Sequence, residues 1–146
     1  MEQADEQVNS SPQSAPVVMQ PVNKAATLAM CAAAWLVPGL GHLLLGRWIR
    51  ALIFAVAVVT MFLFGIAMHG KLFDLTSPFE EPLELFAFIA NVGAGAPYWL
   101  AERFELGIGT MTAPSYDYGT TFLWVCGLLN YLIVLDVYDI AQGRKP

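Results

Sequence analysis

The sequence predicts an all-α membrane protein with four transmembrane helices, a first hairpin broken by proline and glycine, and a disordered N-terminal tail. The main observation is that four apolar stretches, each bounded by charge, proline or glycine, fill most of the 146 residues. A helix needs about 20 apolar residues to cross the roughly 30 Å hydrocarbon core of a bilayer. Composition points the same way, because 57% of the residues are hydrophobic and only 13% are charged, against about 25% charged residues in a typical soluble domain.

Residues 1–23 form the predicted disordered tail. They are rich in Gln, Ser, Pro and acidic residues, and the first basic residue is Lys24, directly before the first apolar stretch. Such a segment buries too little apolar surface to offset the entropy of ordering it. It also lacks the basic start, short apolar run and small-residue cleavage site of a secretory signal. We therefore expect the first apolar stretch to remain in the protein as a membrane helix.

The transmembrane domain is predicted over residues 24–143, and a basic C-terminal end follows at 144–146. Within the domain, the helices are expected at about 25–45, 50–69, 82–101 and 120–141. Helices are favoured because backbone N–H and C=O groups find no water inside a bilayer and must pair with each other. The fourth helix has the clearest end, since a glycine and two basic residues follow it, as is typical of helix C-termini.

The first hairpin carries the most distinctive motif of the chain, Pro38-Gly39-Leu40-Gly41-His42 followed by Gly46-Arg47. Pro38 removes a backbone donor, while Gly39 and Gly41 permit backbone conformations that are closed to other residues. We expect the main helical part to end near Val37 and to be followed by a tight, partly re-entrant turn. Arg47 then marks the aqueous boundary before the second helix.

This motif resembles the first hairpin of the two-transmembrane-segment domain family, in which a glycine-rich turn, a histidine and a Leu-Gly-basic ending join two helices. The resemblance covers residues 25–68 and departs from the family pattern at Leu43 and Leu44, where that family commonly has aromatic residues. Together with Tyr116–Gly119 and Asp136–Lys145, the motif is also similar to an uncharacterised family of small bacterial membrane proteins. That resemblance implies a multi-pass protein of the bacterial inner membrane, and it implies no activity.

His42 and Asn91 are the polar candidates in the first and third apolar stretches. An intramembrane histidine can relay protons or bind a metal. No other His, Cys or carboxylate lies within several residues after His42, so a structural role is favoured, with the ring bonded to a carbonyl freed by the Pro-Gly break. Asn91 precedes the weakened segment 93–97, where small residues favour helix packing. A broken-helix transport site is the alternative interpretation of this pattern.

The fourth apolar stretch contains Asn130, Asp136 and Asp139. At 100° per residue these side chains form no continuous polar face, so a proton wire along this helix is disfavoured. Both aspartates lie within two turns of the helix end, and ion pairing or solvation there is the favoured interpretation. A divalent-ion site is the alternative, although a lone pair of acids is a weak pattern. We expect His42 to lie near the opposite membrane face from the two aspartates.

The orientation of the protein in the membrane is predicted from the positions of its basic residues. Four spans would place both termini and the 69–82 loop on one side of the membrane, with Lys24, Lys71, Arg144 and Lys145. The other side would hold Arg47, Arg50 and Arg103. The positive-inside rule then favours cytoplasmic termini by four basic residues to three.

Three classes of function are compatible with this sequence. The favoured one is a non-enzymatic accessory or scaffold component of a membrane assembly, with the lipid bilayer and a membrane-protein partner or a second copy as its partners. The alternative is a homo-oligomeric channel or transport component. An intramembrane enzyme would need His42 and the two aspartates to converge, and it is disfavoured; no cofactor is expected. The net charge of −5 and the lack of a basic patch exclude nucleic acid as a partner.

Overall fold

The computed structural model describes residues 24–74 and 82–144. These residues form helices and, outside them, a single antiparallel bridge between Lys71 and Ile108. The helices in chain order are α1 (Lys24–Leu36), α2 (Leu40–Leu44), α3 (Trp48–Ala67), α4 (Pro82–Val92), α5 (Ala96–Arg103) and α6 (Tyr116–Ala141). The predicted all-α class is therefore confirmed. The predicted tail at 1–23 and the last two residues of the basic C-terminal end lie outside the described residues.

Two of the described helices, α3 and α6, are long and apolar enough to cross a membrane. They have 20 and 26 residues, and they form the most extensive helix pair of the structure. Gly65, near the end of α3, packs against Leu123, near the start of α6. The two helices are therefore antiparallel, and the other helices pack around this pair.

The first predicted helix is interrupted at Pro38 and Gly39. Gly39 has a φ of +85°, a left-handed conformation that favours glycine. Its α-carbon also lies against the carbonyl of Ala51 in α3, so a side chain would collide there. The chain folds back at this point, because Ala34 packs directly against Gly41, whereas residues at that spacing in one continuous helix are about 10 Å apart.

The third predicted helix is interrupted in the same way at Gly95, whose φ is +72°. α4 starts beside the first turns of α6, where Phe86 packs against Trp124, and its last turn lies against the middle of α6. After Gly95, α5 runs in the opposite direction, back towards the segment that contains Phe73. The hydroxyl of Tyr98, in the first turn of α5, donates to the carbonyl of Phe73. α4 and α5 thus form a hairpin that enters and leaves at the same end of the bundle.

The expected number of four transmembrane helices is not confirmed. The stretches at 50–69 and 120–141 contain continuous helices of membrane-spanning length, whereas those at 25–45 and 82–101 are each divided into two shorter helices. The longest of these pieces, α1, has 13 residues, and it would rise only about 20 Å. The physical reason is the backbone freedom at each break, which allows the chain to turn back on itself.

Arginine residues are concentrated at one end of the bundle. The start of α3 lies beside the end of α6, and this basic end carries Arg47, Arg50 and Arg144. At the loop end, residues 68–74 pack against residues 107–120, as the bond from the Lys71 amide to the Thr120 hydroxyl shows. The expected separation of Arg47 and Arg50 from Arg144 is wrong, because the first hairpin folds back.

The core lies between α3, α6 and the α4–α5 hairpin. Its buried members include Val58, Phe62, Tyr98, Leu123, Cys126 and Ile133. Glycine allows α4 to approach α6 closely, since Gly127 lies directly against the backbone of Ala90 and any side chain at this position would collide. This close approach brings the end of α4 beside Asn130, which follows Gly127 by about one turn of α6.

Candidate functional site

Asn130 lies fully buried in the middle of α6 and joins the two broken segments. Its Nδ2 donates to the carbonyl of Trp35 at 3.0 Å and to that of Gly93 at 2.9 Å. Trp35 lies in the last turn of α1, and Gly93 directly follows α4. Carbonyls at helix C-termini have no partner within the helix and carry partial negative charge. A single amide group therefore satisfies one carbonyl at each break.

The two breaks also touch each other. Gly95 lies so close to the carbonyl of Trp35 that a side chain there would collide, and the carbonyl of Leu36 is next to it. The ends of α1 and α4 thus meet at Asn130, although Trp35 and Asn130 are 95 residues apart in the chain. Asn130 was predicted only as an intramembrane polar residue, and the structure identifies it as the link between the segments.

His42 has a different partner from the one expected. Its Nε2 lies 3.0 Å from Oδ2 of Asp136, so the ring N–H donates to the carboxylate. The ring is fully buried, and Phe54 packs edge-on against it with ring centroids 4.9 Å apart. The expectation that His42 and the aspartates lie near opposite faces is wrong, because α2 turns back towards the end of α6. The expected bond from His42 to a freed carbonyl is wrong too, since Asn130 takes that role.

The two aspartates have separate partners. The side chain of Asp136 is 27% exposed and is bonded to the buried ring of His42. Asp139 Oδ1 lies 3.6 Å from Nη1 of Arg144, with both groups partly exposed. This ion pair near the end of α6 is of the kind that the favoured interpretation of Asp139 expects. In the described ranges, no group of three His, Cys, Asp or Glu side chains is arranged to hold a metal ion.

Several buried polar atoms of the candidate residues have no hydrogen-bond partner among the described residues. They are Nδ1 of His42, both amide atoms of Asn91, and Oδ1 of Asn130. A buried polar group without a partner costs about 1–3 kcal/mol and calls for an explanation, such as a water molecule or a functional role. Asn91 is the most unusual case, because its whole side-chain amide is buried and unpaired. The predicted candidates His42, Asn91 and Asn130 thus share complete burial.

A second feature lies on the surface and was missed by sequence reasoning. An apolar groove of about 740 Å³ runs between α3 and α5. It is lined mainly by Leu36, Val59, Leu63, Trp99 and Leu100, and Arg103 lies at its loop end. No local pattern could identify this groove, since its walls come from separate apolar stretches that each resemble an ordinary membrane helix.

Comparison with known proteins gives a family match. DUF6677, described as a family of unknown function, matches residues 29–146. The matched range includes His42, Asn91, Asn130 and every residue of the groove. No curated protein matches the chain, and no solved structure does.

We predict that Asn130→Leu destabilises the protein strongly. The substitution keeps a side chain of similar size but leaves the carbonyls of Trp35 and Gly93 without their donor, and the free energy of unfolding should fall by about 2–4 kcal/mol. Far-UV circular dichroism during titration with a denaturing detergent measures this change. The control is Leu132→Ala on the exposed side of the same helix, which should cost less than about 1 kcal/mol. Equal losses for both variants would contradict the bridging role.

We also predict strong coupling between His42 and Asp136. Asp136→Leu alone leaves a fully buried ring with no hydrogen-bond partner, whereas the double variant with His42→Leu removes both polar groups. A double-mutant cycle on the free energy of unfolding should give an interaction energy of about 1.5–3 kcal/mol. Asp139→Leu combined with His42→Leu serves as the control and should be additive. Additivity in the Asp136 cycle would show that the pair contributes nothing.

Proposed function

The chain belongs to the DUF6677 family, and we propose that it is a small integral membrane protein that acts as an accessory or scaffold component of a membrane assembly. The observation that carries the proposal is the apolar surface of α3 and α6. Large side chains along both helices are more than half exposed, including Leu52, Leu63, Leu132 and Leu135. Proteins that stay in water rarely expose contiguous apolar surface of this extent. In a bilayer, the same surface contacts lipid or another membrane protein.

A non-enzymatic role fits the way in which the buried polar groups are used. Asn130 holds two helix ends together, and Asp139 is paired with an arginine at the surface. His42 and Asp136 do converge, as an enzyme would require, but the ring is completely buried and donates to the carboxylate. A substrate has no access to that ring unless the first hairpin moves. The pair therefore supports a structural role better than a catalytic one.

We further propose an inner-membrane location with both termini in the cytoplasm. In this arrangement α3 and α6 span the bilayer, and each of the other segments enters and leaves on one side. The basic end then contributes Lys24, Arg47, Arg50 and Arg144, whereas the loop end has Lys71 and Arg103. The positive-inside rule favours the basic end as the cytoplasmic one. The four basic residues at this end against two at the other give a larger difference than the four against three expected from the sequence alone.

Thiol labelling tests this topology. In a Cys31→Ala, Cys126→Ala background, Arg50→Cys and Glu105→Cys are expected to react with a membrane-impermeant maleimide from opposite sides. In spheroplasts, the reagent should label position 105 directly and position 50 only after permeabilisation. A protein with four full spans would instead present both positions on the same side. Labelling of both from one side would therefore contradict the two-span topology.

The proposed accessory role is tested by capture of partners from the native membrane. The full chain is purified in mild detergent, and retained proteins are quantified by mass spectrometry. Two variants probe the exposed faces, Leu132→Ala with Leu135→Ala on α6 and Ile53→Ala with Val56→Ala on α3. We expect a stoichiometric partner whose recovery falls about tenfold with one variant and stays unchanged with the other. Recovery of a pure homo-oligomer would contradict the accessory role.

The second candidate is a homo-oligomeric channel or transport component, and the unpaired buried polar atoms of His42, Asn91 and Asn130 favour it. Buried polar groups between broken helices are typical of transport sites, and Asn91 has no structural bond that accounts for its burial. This candidate predicts ion or solute flux in liposomes that contain the purified protein. Asn91→Leu should then abolish flux without changing assembly, while Leu132→Ala leaves flux intact.

A further inference from the structure

We propose that the groove between α3 and α5 binds one phospholipid with a primary-amine headgroup. The inference rests on the proposed membrane location and adds a ligand class to a surface to which no role has been assigned. Three adjoining cavities carry the argument, because their linings change from apolar, to one arginine beside two glutamates, to acidic. That order matches the order of acyl chain, phosphate and ammonium in such a lipid.

The groove has the character and the depth of a site for acyl chains. Its volume is about 740 Å³, and its walls are almost entirely apolar. It extends from Leu36, beside the break at the middle of the bundle, to Arg103 at the loop end. α5 forms one wall, and its 8 residues rise about 12 Å, close to half of the roughly 30 Å hydrocarbon core. The groove therefore spans about one leaflet.

Arg103 is positioned to bind the phosphate. It lines both the groove and a neighbouring cavity of about 430 Å³, which it shares with Trp99, Glu102 and Glu105. Arg103 is exposed, and no carboxylate of the described residues forms an ion pair with it. A guanidinium group binds phosphate oxygens through two parallel hydrogen bonds. Trp99 beside it is of the residue type enriched at the level of lipid headgroups.

The acidic part of the site selects the headgroup. Glu102 and Glu105 also line a third cavity of about 280 Å³, together with Asp74. Carboxylates can accept hydrogen bonds from a primary ammonium group, whereas a quaternary choline has no N–H to donate. A headgroup with phosphate and no amine would place its charge beside these carboxylates without compensation. The charge pattern therefore favours an ethanolamine headgroup over choline and glycerol headgroups.

The test is retention of lipid by the purified full chain. Protein in detergent is incubated with equal amounts of phosphatidylethanolamine, phosphatidylcholine and phosphatidylglycerol that carry the same acyl chains, and bound lipid is counted by native mass spectrometry. We expect one lipid per chain, with phosphatidylethanolamine retained about tenfold more than the other two. Arg103→Gln should lower its retention about tenfold. Arg50→Gln at the basic end is the matched control and should retain lipid normally.

A second variant separates selectivity from folding. Glu105 has a φ of +53°, a conformation that glycine adopts with less strain, so Glu105→Gly should not weaken the fold. Combined with Glu102→Gln, it should abolish the preference for the ethanolamine lipid and raise retention of phosphatidylglycerol to the same level. Equal retention of all three lipids by the unmodified protein would overturn the inference, as would normal retention by Arg103→Gln.

These outcomes are distinct from failure of the proposed function. Extraction of the protein from membranes by alkaline carbonate would contradict the membrane location itself. A protein that resists extraction and recovers its partner but shows no lipid selectivity would overturn only the lipid site.

Discussion

The pair of hydrogen bonds from Asn130 to Trp35 and Gly93 is the interaction on which the structure depends. A break in a membrane helix releases carbonyl groups that lipid cannot satisfy, so each break needs a donor at the same depth. One side chain on α6 serves both breaks. It thereby sets how far the α1–α2 and α4–α5 segments reach into the bundle, and it brings Gly95 against the end of α1. The positions of His42 and of the α5 groove follow from this arrangement.

The elements were largely predictable from the sequence, whereas the direction of the chain after each break was not. Apolar length identified α3 and α6, and the Pro38-Gly39 motif marked the first interruption correctly. A hydropathy pattern nevertheless treats an interrupted apolar stretch as one span. Whether the chain continues or returns is decided by contacts such as Ala34 with Gly41 and Asn130 with Trp35. The second kind of contact joins residues that no local pattern relates.

The candidate site, like the fold, was predictable from the sequence only in part. Burial of His42, Asn91 and Asn130 followed from their place in apolar stretches, but the hydrogen-bond partners of His42 and Asn130 did not. His42 and Asp136 are 94 residues apart, and the four-span topology separated them. The proposed roles differ in location accordingly. Asn130 and the pair of His42 with Asp136 hold the segments together, and the exposed faces and the groove are the surfaces proposed to bind partner proteins and lipid.

The position of Asn130 has a consequence for biogenesis. The ribosome makes the first hairpin long before α6, so the carbonyl of Trp35 emerges without the donor that it has in the finished protein. His42 likewise precedes Asp136 by most of the chain. The first hairpin therefore gains its two side-chain links to α6 only after α6 has been made. A chain truncated before α6 would lack both of these links.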